Sequence, residues 1–189
     1  MTVTLTNLEP RIRSLIGDFE IDGKDIFTAG GSSSTFTLSE PNVNAVTSVL
    51  VNDVSSGITY SYSSTNNKLT ITSSLSSGDI VEIQYSLYND YSSNELQQYI
   101  KAALSYISIN NYKDFLVEGS GDEVTPEPDE RESQLISVVT AILINPGNRS
   151  YKLPDMAINI TSKELPTDQK IGRLIALYKQ SKVGIFSIN

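Results

Sequence analysis

Six carboxylates fall close together, at Asp122, Glu123, Glu127, Asp129, Glu130 and Glu132. Paired acids at this density can hold a divalent cation or share general acid and base roles. Their order lacks the Asp-x-Asp-x-Asp-Gly spacing that wraps a chain around calcium. The stretch around them, GSGDEVTPEPDERE over 119–132, contains two Pro and two Gly. It reads as an exposed, solvated loop. Tyrosines form a second set, at Tyr60, Tyr62, Tyr85, Tyr88, Tyr91, Tyr99, Tyr106 and Tyr112. Such rings can stack on sugars, but cross-strand Tyr pairs are also ordinary sheet material. Lys170, Arg173, Lys179 and Lys182 form a third set. They suit a basic stripe, or the C-terminal dipole of a helix. The GGSSS run at Gly30–Ser34 lacks the Lys of a phosphate-binding loop.

The missing residue types exclude more. The 189 residues contain no Cys, His or Trp. There is no thiol nucleophile, no disulfide framework, no Ser-His couple and no imidazole ligand. Any catalysis would run on carboxylates, Lys, Tyr or hydroxyls, and no paired acids sit in a glycosidase-like frame. The net charge of −8 disfavours a general nucleic-acid surface. No apolar run is long enough to span a bilayer, and the N-terminus has no signal-peptide organisation. The expectation is a soluble chain made in a cytoplasm, with no cofactor and no enzymatic activity.

The elements that would position these groups divide by composition. Residues 27–89 hold five charged residues, and 31–93 hold 17 Ser. This is β composition between helix-patterned flanks. Leu8, Ile12, Leu15 and Ile16 make one helical stripe, with Asn7 as N-cap, Pro10 in the first turn, and Arg11 and Arg13 facing water. Strands are expected at Phe36–Leu38, Val46–Val51, Thr59–Tyr62, Lys68–Ile71 and along Val81, Ile83 and Tyr85. A turn at Thr65-Asn66-Asn67 joins a hairpin. Ser92 and Glu95 have capping-box spacing before the stripe Leu96, Tyr99, Ile100, Ala103, Leu104 and Ile107. Asp114 to Glu118 suits a short strand. Asp129 and Glu132 repeat the box before Leu135–Ile144, which is apolar nearly all round. That segment reads as a helix buried by its own core or by a neighbouring copy, with a strand left open by its β-branched content. Tyr151 to Ile160 reads as extended. Thr167-Asp168 caps a last helix with the stripe Ile171, Leu174, Ile175 and Tyr178. The apolar tail 183–189 either folds back on Tyr151–Ile160 or adds to a neighbour.

The fold expected is α+β. A helical core of about four helices occupies 1–18 and 90–189, with an antiparallel β-sandwich or barrel inserted at 19–89 and an extended C-terminal tail. Residues 119–131 form an acidic exposed loop. The order NLEPRIRSLIGDF, then FTLSEPNV…VLVND…YSY…NKLTIT…LSSGDIVEIQYS, then SSNELQQYIKAALSYI, an apolar helix and KIGRLIALYKQSK resembles the head–tail connector (adaptor) proteins of tailed bacteriophages. The resemblance spans nearly the whole chain and rests on layout and hydrophobic pattern. It implies a non-enzymatic virion protein at the head–tail junction. Such proteins form cyclic rings of about twelve copies on the portal protein, with heterologous contacts. Tail or neck proteins would be further partners, packaged DNA would pass through unbound, and no membrane would be involved. Candidate interface residues under that reading are Glu127, Asp129 and Glu130 in the loop and Leu135, Val139 and Ile142 as an apolar seam. Arg173 and Lys179 would supply the basic side, and Ile185, Phe186 and Ile188 the tail. Residues 119–132 carry six acids and one Arg, whereas 149–182 carries seven basic and three acidic residues. The competing reading is a carbohydrate-binding or adhesin-like module of a tail or baseplate.

Overall fold

The computed structural model describes residues 2–31, 34–118, 121–147, 150–153, 156–160, 165–180 and 186–188. The chain divides into two compact units, 19–92 and the combination of 1–18 with 93–189.

The 19–92 unit is all β. Its strands are β1 (Glu20–Thr28), β2 (Thr35–Thr37), β3 (Val43–Val51), β4 (Tyr60–Ser63), β5 (Lys68–Ile71) and β6 (Ile80–Tyr88). They form two open antiparallel sheets, ordered β1-β6-β3 and β2-β5-β4. Both sheets contribute to one buried cluster that includes Phe36, Val49, Leu69, Ile71, Val81, Ile83 and Tyr85. No closed barrel forms among the described residues. The wet–dry alternation expected of β6 is present: Val81, Ile83 and Tyr85 are buried, and Glu82 and Gln84 are partly exposed. The β4–β5 hairpin turns at Asn67, whose φ of 54° needs a residue tolerant of left-handed backbone. The Asn67 amide donates to the carbonyls of Leu38 (3.0 Å) and Glu40 (2.7 Å) and accepts from the Tyr62 hydroxyl at 2.9 Å. One strand went unread in the sequence. The nine residues of β1 pair along the whole of β6, from Glu20 opposite Tyr88 to Thr28 opposite Ile80.

The other unit holds four helices: α1 (Leu5–Ile16), α2 (Ser93–Ile109), α3 (Glu130–Ile144) and α4 (Thr167–Gln180). The α1 start corrects the expectation. Thr4, not Asn7, is the N-cap, and its hydroxyl accepts from the Asn7 amide at 3.1 Å. The earlier start adds Leu5 to the buried stripe and puts Pro10 in the helix interior. Gly17 ends the helix at φ 80°, a conformation glycine adopts without strain. Arg13 is buried rather than wet. In α2 the stripe is Leu96, Ile100, Ala103, Leu104 and Ile107, whereas Tyr99 faces outward. Helix α3 has the full capping box of Asp129 and Glu132, and every residue from Glu132 to Ile142 is buried. It packs against α1, α2 and α4. In α4, Thr167 is the first helical residue rather than a cap, and Ile171, Leu174, Ile175 and Tyr178 are buried.

Short strands complete this unit. β7 (Leu116–Val117) pairs with β8 (Val124–Thr125), a two-residue strand inside the 119–131 segment expected to be an acidic exposed loop, most of whose described residues are exposed. Val124 is buried in the helical core and donates its amide to the Val3 carbonyl at 3.0 Å. The Leu5 amide donates to the Asp122 carbonyl at 2.8 Å, and Pro128 is buried. Two apolar residues and backbone pairing outweigh the Pro and Gly content there. β9 (Ser150–Leu153) lies antiparallel to β10 (Met156–Ile160). β11 (Phe186–Ile188) runs parallel to β10, with Phe186 opposite Ile158 and Ile188 opposite Ile160. No helix among the described residues is long and apolar enough to cross a membrane.

Candidate functional site

The acidic stretch is spent on holding its own unit together. Asp129 accepts from the Glu132 amide at 2.7 Å, and Glu132 accepts from the Asp129 amide at 2.9 Å. Glu132 also receives the Lys113 ammonium on both oxygens, at 2.9 and 2.8 Å. Glu130 binds Arg11 at 2.6 Å, and Asp122 accepts from the Thr6 hydroxyl at 3.0 Å. Glu127 is exposed. No group of three or more acids among the described residues is placed to hold a metal ion. Asp129 and Glu130 are therefore helix-start residues first, and a charge reversal there would break a cap before it tested an interface.

The apolar seam is also corrected. Leu135, Val139 and Ile142 have no exposed surface within the single chain, so they offer nothing to a neighbour. The buried-all-round pattern of α3 is explained by α1, α2 and α4. The basic set separates as well. Lys170 is buried and donates to the Pro146 carbonyl, while Lys179 is exposed and donates to the Asn110 carbonyl at 2.7 Å. Arg173 is exposed on α4, and Lys182 lies outside the described residues. Phe186 and Ile188 belong to β11, paired to β10 of the same chain, and Ile185 lies outside the described residues.

The tyrosines do not make a stacking platform. Tyr85 is buried, and the Tyr62 hydroxyl is tied to Asn67. Tyr60 and Tyr99 are the exposed ones of the set, and they belong to different units. What the sequence did not reveal is a shallow polar basin of about 380 Å³ on the β unit, lined by Asp22, Gly23, Lys24, Thr47, Gln84 and Tyr85. Only strand register could have brought these together. Lys24 and Gln84 both reach Glu82, at 3.3 and 2.7 Å, and these bonds hold its carboxyl below the usual range, the Gln84 bond most.

Among the described residues Tyr178 is the most perturbed side chain. Burial pushes its hydroxyl from 10.0 up to about 12, against the opposing pull of Arg131. Arg131 lies 5.2 Å from the ring centroid and donates to the Tyr178 carbonyl at 2.9 Å. A raised folded-state value means that this stabilisation is complete below pH ~10 and is lost as pH rises towards ~12. Wild type is expected to lose about 2–3 kcal/mol more stability than Tyr178→Phe across that window. Denaturant midpoints of both proteins at neutral and alkaline pH check this. Parallel pH curves would refute the assignment.

None of these groups forms a nucleophile–base pair or a phosphate cradle. No known protein-family model matches the chain, and no curated protein matches it.

Proposed function

We propose that this chain is a non-enzymatic structural protein of a tailed-phage virion, a ring component at the portal vertex that joins head to tail and continues the DNA channel. The observation that carries this reading is the layout. A helical unit is built from two separate pieces of sequence, α1 and α2–α4, and an independent β unit is inserted between α1 and α2. The two three-stranded sheets with a common core fit a sandwich-like insertion. The net charge of −8 fits a conduit along which DNA slides without sticking. The apolar β11 segment, docked on β10, fits a tail that belongs to its own subunit.

Antibody-gold labelling of virus particles that contain this chain tests the reading. Label at the head–tail junction is the expected result. Label at the tail tip would replace it with the adhesin-like reading, for which the polar basin on the β unit is the observation in favour. Absence of label from every particle would overturn both.

A further inference from the structure

Charge is distributed unevenly between the two units. The 19–92 unit carries eight acids against Lys24 and Lys68, so it holds −6 of the chain's −8. The acids of the other unit that lie near 122–132 are largely engaged with Arg11, Lys113, Thr6 and helix caps. Within that unit the segment 149–182 carries seven basic and three acidic residues. Lys170 and Lys179 each donate to a main-chain carbonyl, a neutral partner that does not cancel the ammonium charge.

The acidic surface has a distinct edge. Among the described residues strand β1 pairs with β6 alone and forms one edge of its sheet. Glu20 and Asp22 are exposed on it, beside Ile21 and the 59% exposed Ile26. The basic surface is the outer face of α4, where Arg173, Ala176 and Lys179 recur at helical spacing and are exposed. Two copies meeting β1 to β1 would set like charges together, which costs affinity. A β1-to-α4 contact sets opposite charges together, and where it is not returned within the same pair of copies it repeats from copy to copy into a ring or a filament.

We propose that the chain self-associates head-to-tail, the β1 edge of one copy docking on the Arg173–Lys179 face of α4 of the next. This deepens the ring reading above by naming its two faces.

Sedimentation velocity of the full chain at low and high salt, over a range of concentrations, tests it. Two charge-reversed variants are made at exposed positions: Glu20→Lys with Asp22→Lys, and Arg173→Glu with Ala176→Glu. Circular dichroism confirms that each is folded. The expected result is concentration-dependent assembly at low salt that disperses at high salt. Each variant alone assembles at least about tenfold more weakly, because its two faces now carry the same sign. Mixing the two variants restores assembly, since each then finds an opposite face. A wild type that stays monomeric at every concentration, or variants that assemble unchanged, or a mixture that does not recover, would each overturn the proposal. Failure here with gold label at the junction would leave the neck reading standing and move the contact elsewhere. Charge-swap recovery without junction label would keep the contact and discard the neck.

Discussion

Asp18→Ala is expected to destabilise the helical unit by about 3–5 kcal/mol, the size seen when one member of a buried ion pair is removed. Arg13 and Asp18 are 3% and 1% exposed, and they form an ion pair across the Gly17 cap. Glu9 adds a second carboxylate, 3.7 Å from Arg13, and itself accepts from Gln97 of α2 at 2.9 Å. Removing Asp18 strips a desolvated guanidinium of its closest counter-charge. The total stability of a domain is about 5–15 kcal/mol, so this single change takes a large share. Glu130→Gln makes the contrast. Its partner Arg11 and Glu130 itself are 28% and 67% exposed, so that pair is worth at most about 1 kcal/mol. Urea unfolding followed by the helical circular dichroism signal reads both. The triple change Glu9→Gln, Arg13→Met and Asp18→Leu should recover most of the loss, since it replaces the buried ionic group without leaving a charge unpaired, and the glutamine at position 9 can still accept from Gln97. An Asp18→Ala protein within about 1 kcal/mol of wild type would mean that solvent reaches Arg13.

Arg13 also shows where the sequence stops being legible. The stripe of α1 and the stop at Gly17 are written in residue types and spacing. The burial of a charged residue is not, because it depends on Asp18 folding back over the cap and on Gln97 arriving from a helix distant in sequence. The capping box of Asp129 and Glu132 was readable because it is local, and it decides for helix over strand in the β-branched run that follows. The open choice at 183–189 depended on a partner strand, and β10 supplies one for residues 186–188 within the chain. The strand β1 was unreadable for the opposite reason. Its EIDGKDIFT sequence has charges at four of nine positions and a glycine near the middle, which is poor strand material. It is a strand because β6 has an unpaired edge and because that glycine fits one ring. The apolar candidates for assembly fared alike. Leu135, Val139 and Ile142 look available in a sequence with no partner helices in view, and they are consumed by α1, α2 and α4.

The glycine of β1 carries the second large effect. Gly23 lies opposite Tyr85 in the β1–β6 register. A Cβ placed on Gly23 would stand 2.4 Å from Tyr85 Cε2 and 2.8 Å from Leu87 Cδ2, closer than atoms can pack. The ring cannot simply swing away. Tyr85 is 1% exposed, and its hydroxyl lies 3.3 Å from the Ser39 hydroxyl. Ser39 is itself held by Asp25 through its amide at 2.7 Å and its hydroxyl at 2.6 Å. Glycine normally weakens a strand, so its presence here is the condition for seating the ring. Gly23→Ala is expected to cost about 1–3 kcal/mol by overpacking, and Gly23→Val more. Tyr85→Ala should cost about 3–5 kcal/mol through the cavity it leaves. The double change Gly23→Val with Tyr85→Ala should cost less than the sum, by a coupling of about 1–3 kcal/mol, because the valine methyls enter the space the ring vacates. Denaturation of the four proteins, followed by a probe in the β unit, gives that coupling directly. Strict additivity would show that the ring and the glycine do not compete for one volume. A positive coupling has a consequence for assembly, since β1 bears both this glycine and the acidic edge. If the proposed β1–α4 contact holds, Gly23→Ala should then weaken self-association while leaving the helical unit intact, linking the packing of one tyrosine to the proposed contact surface.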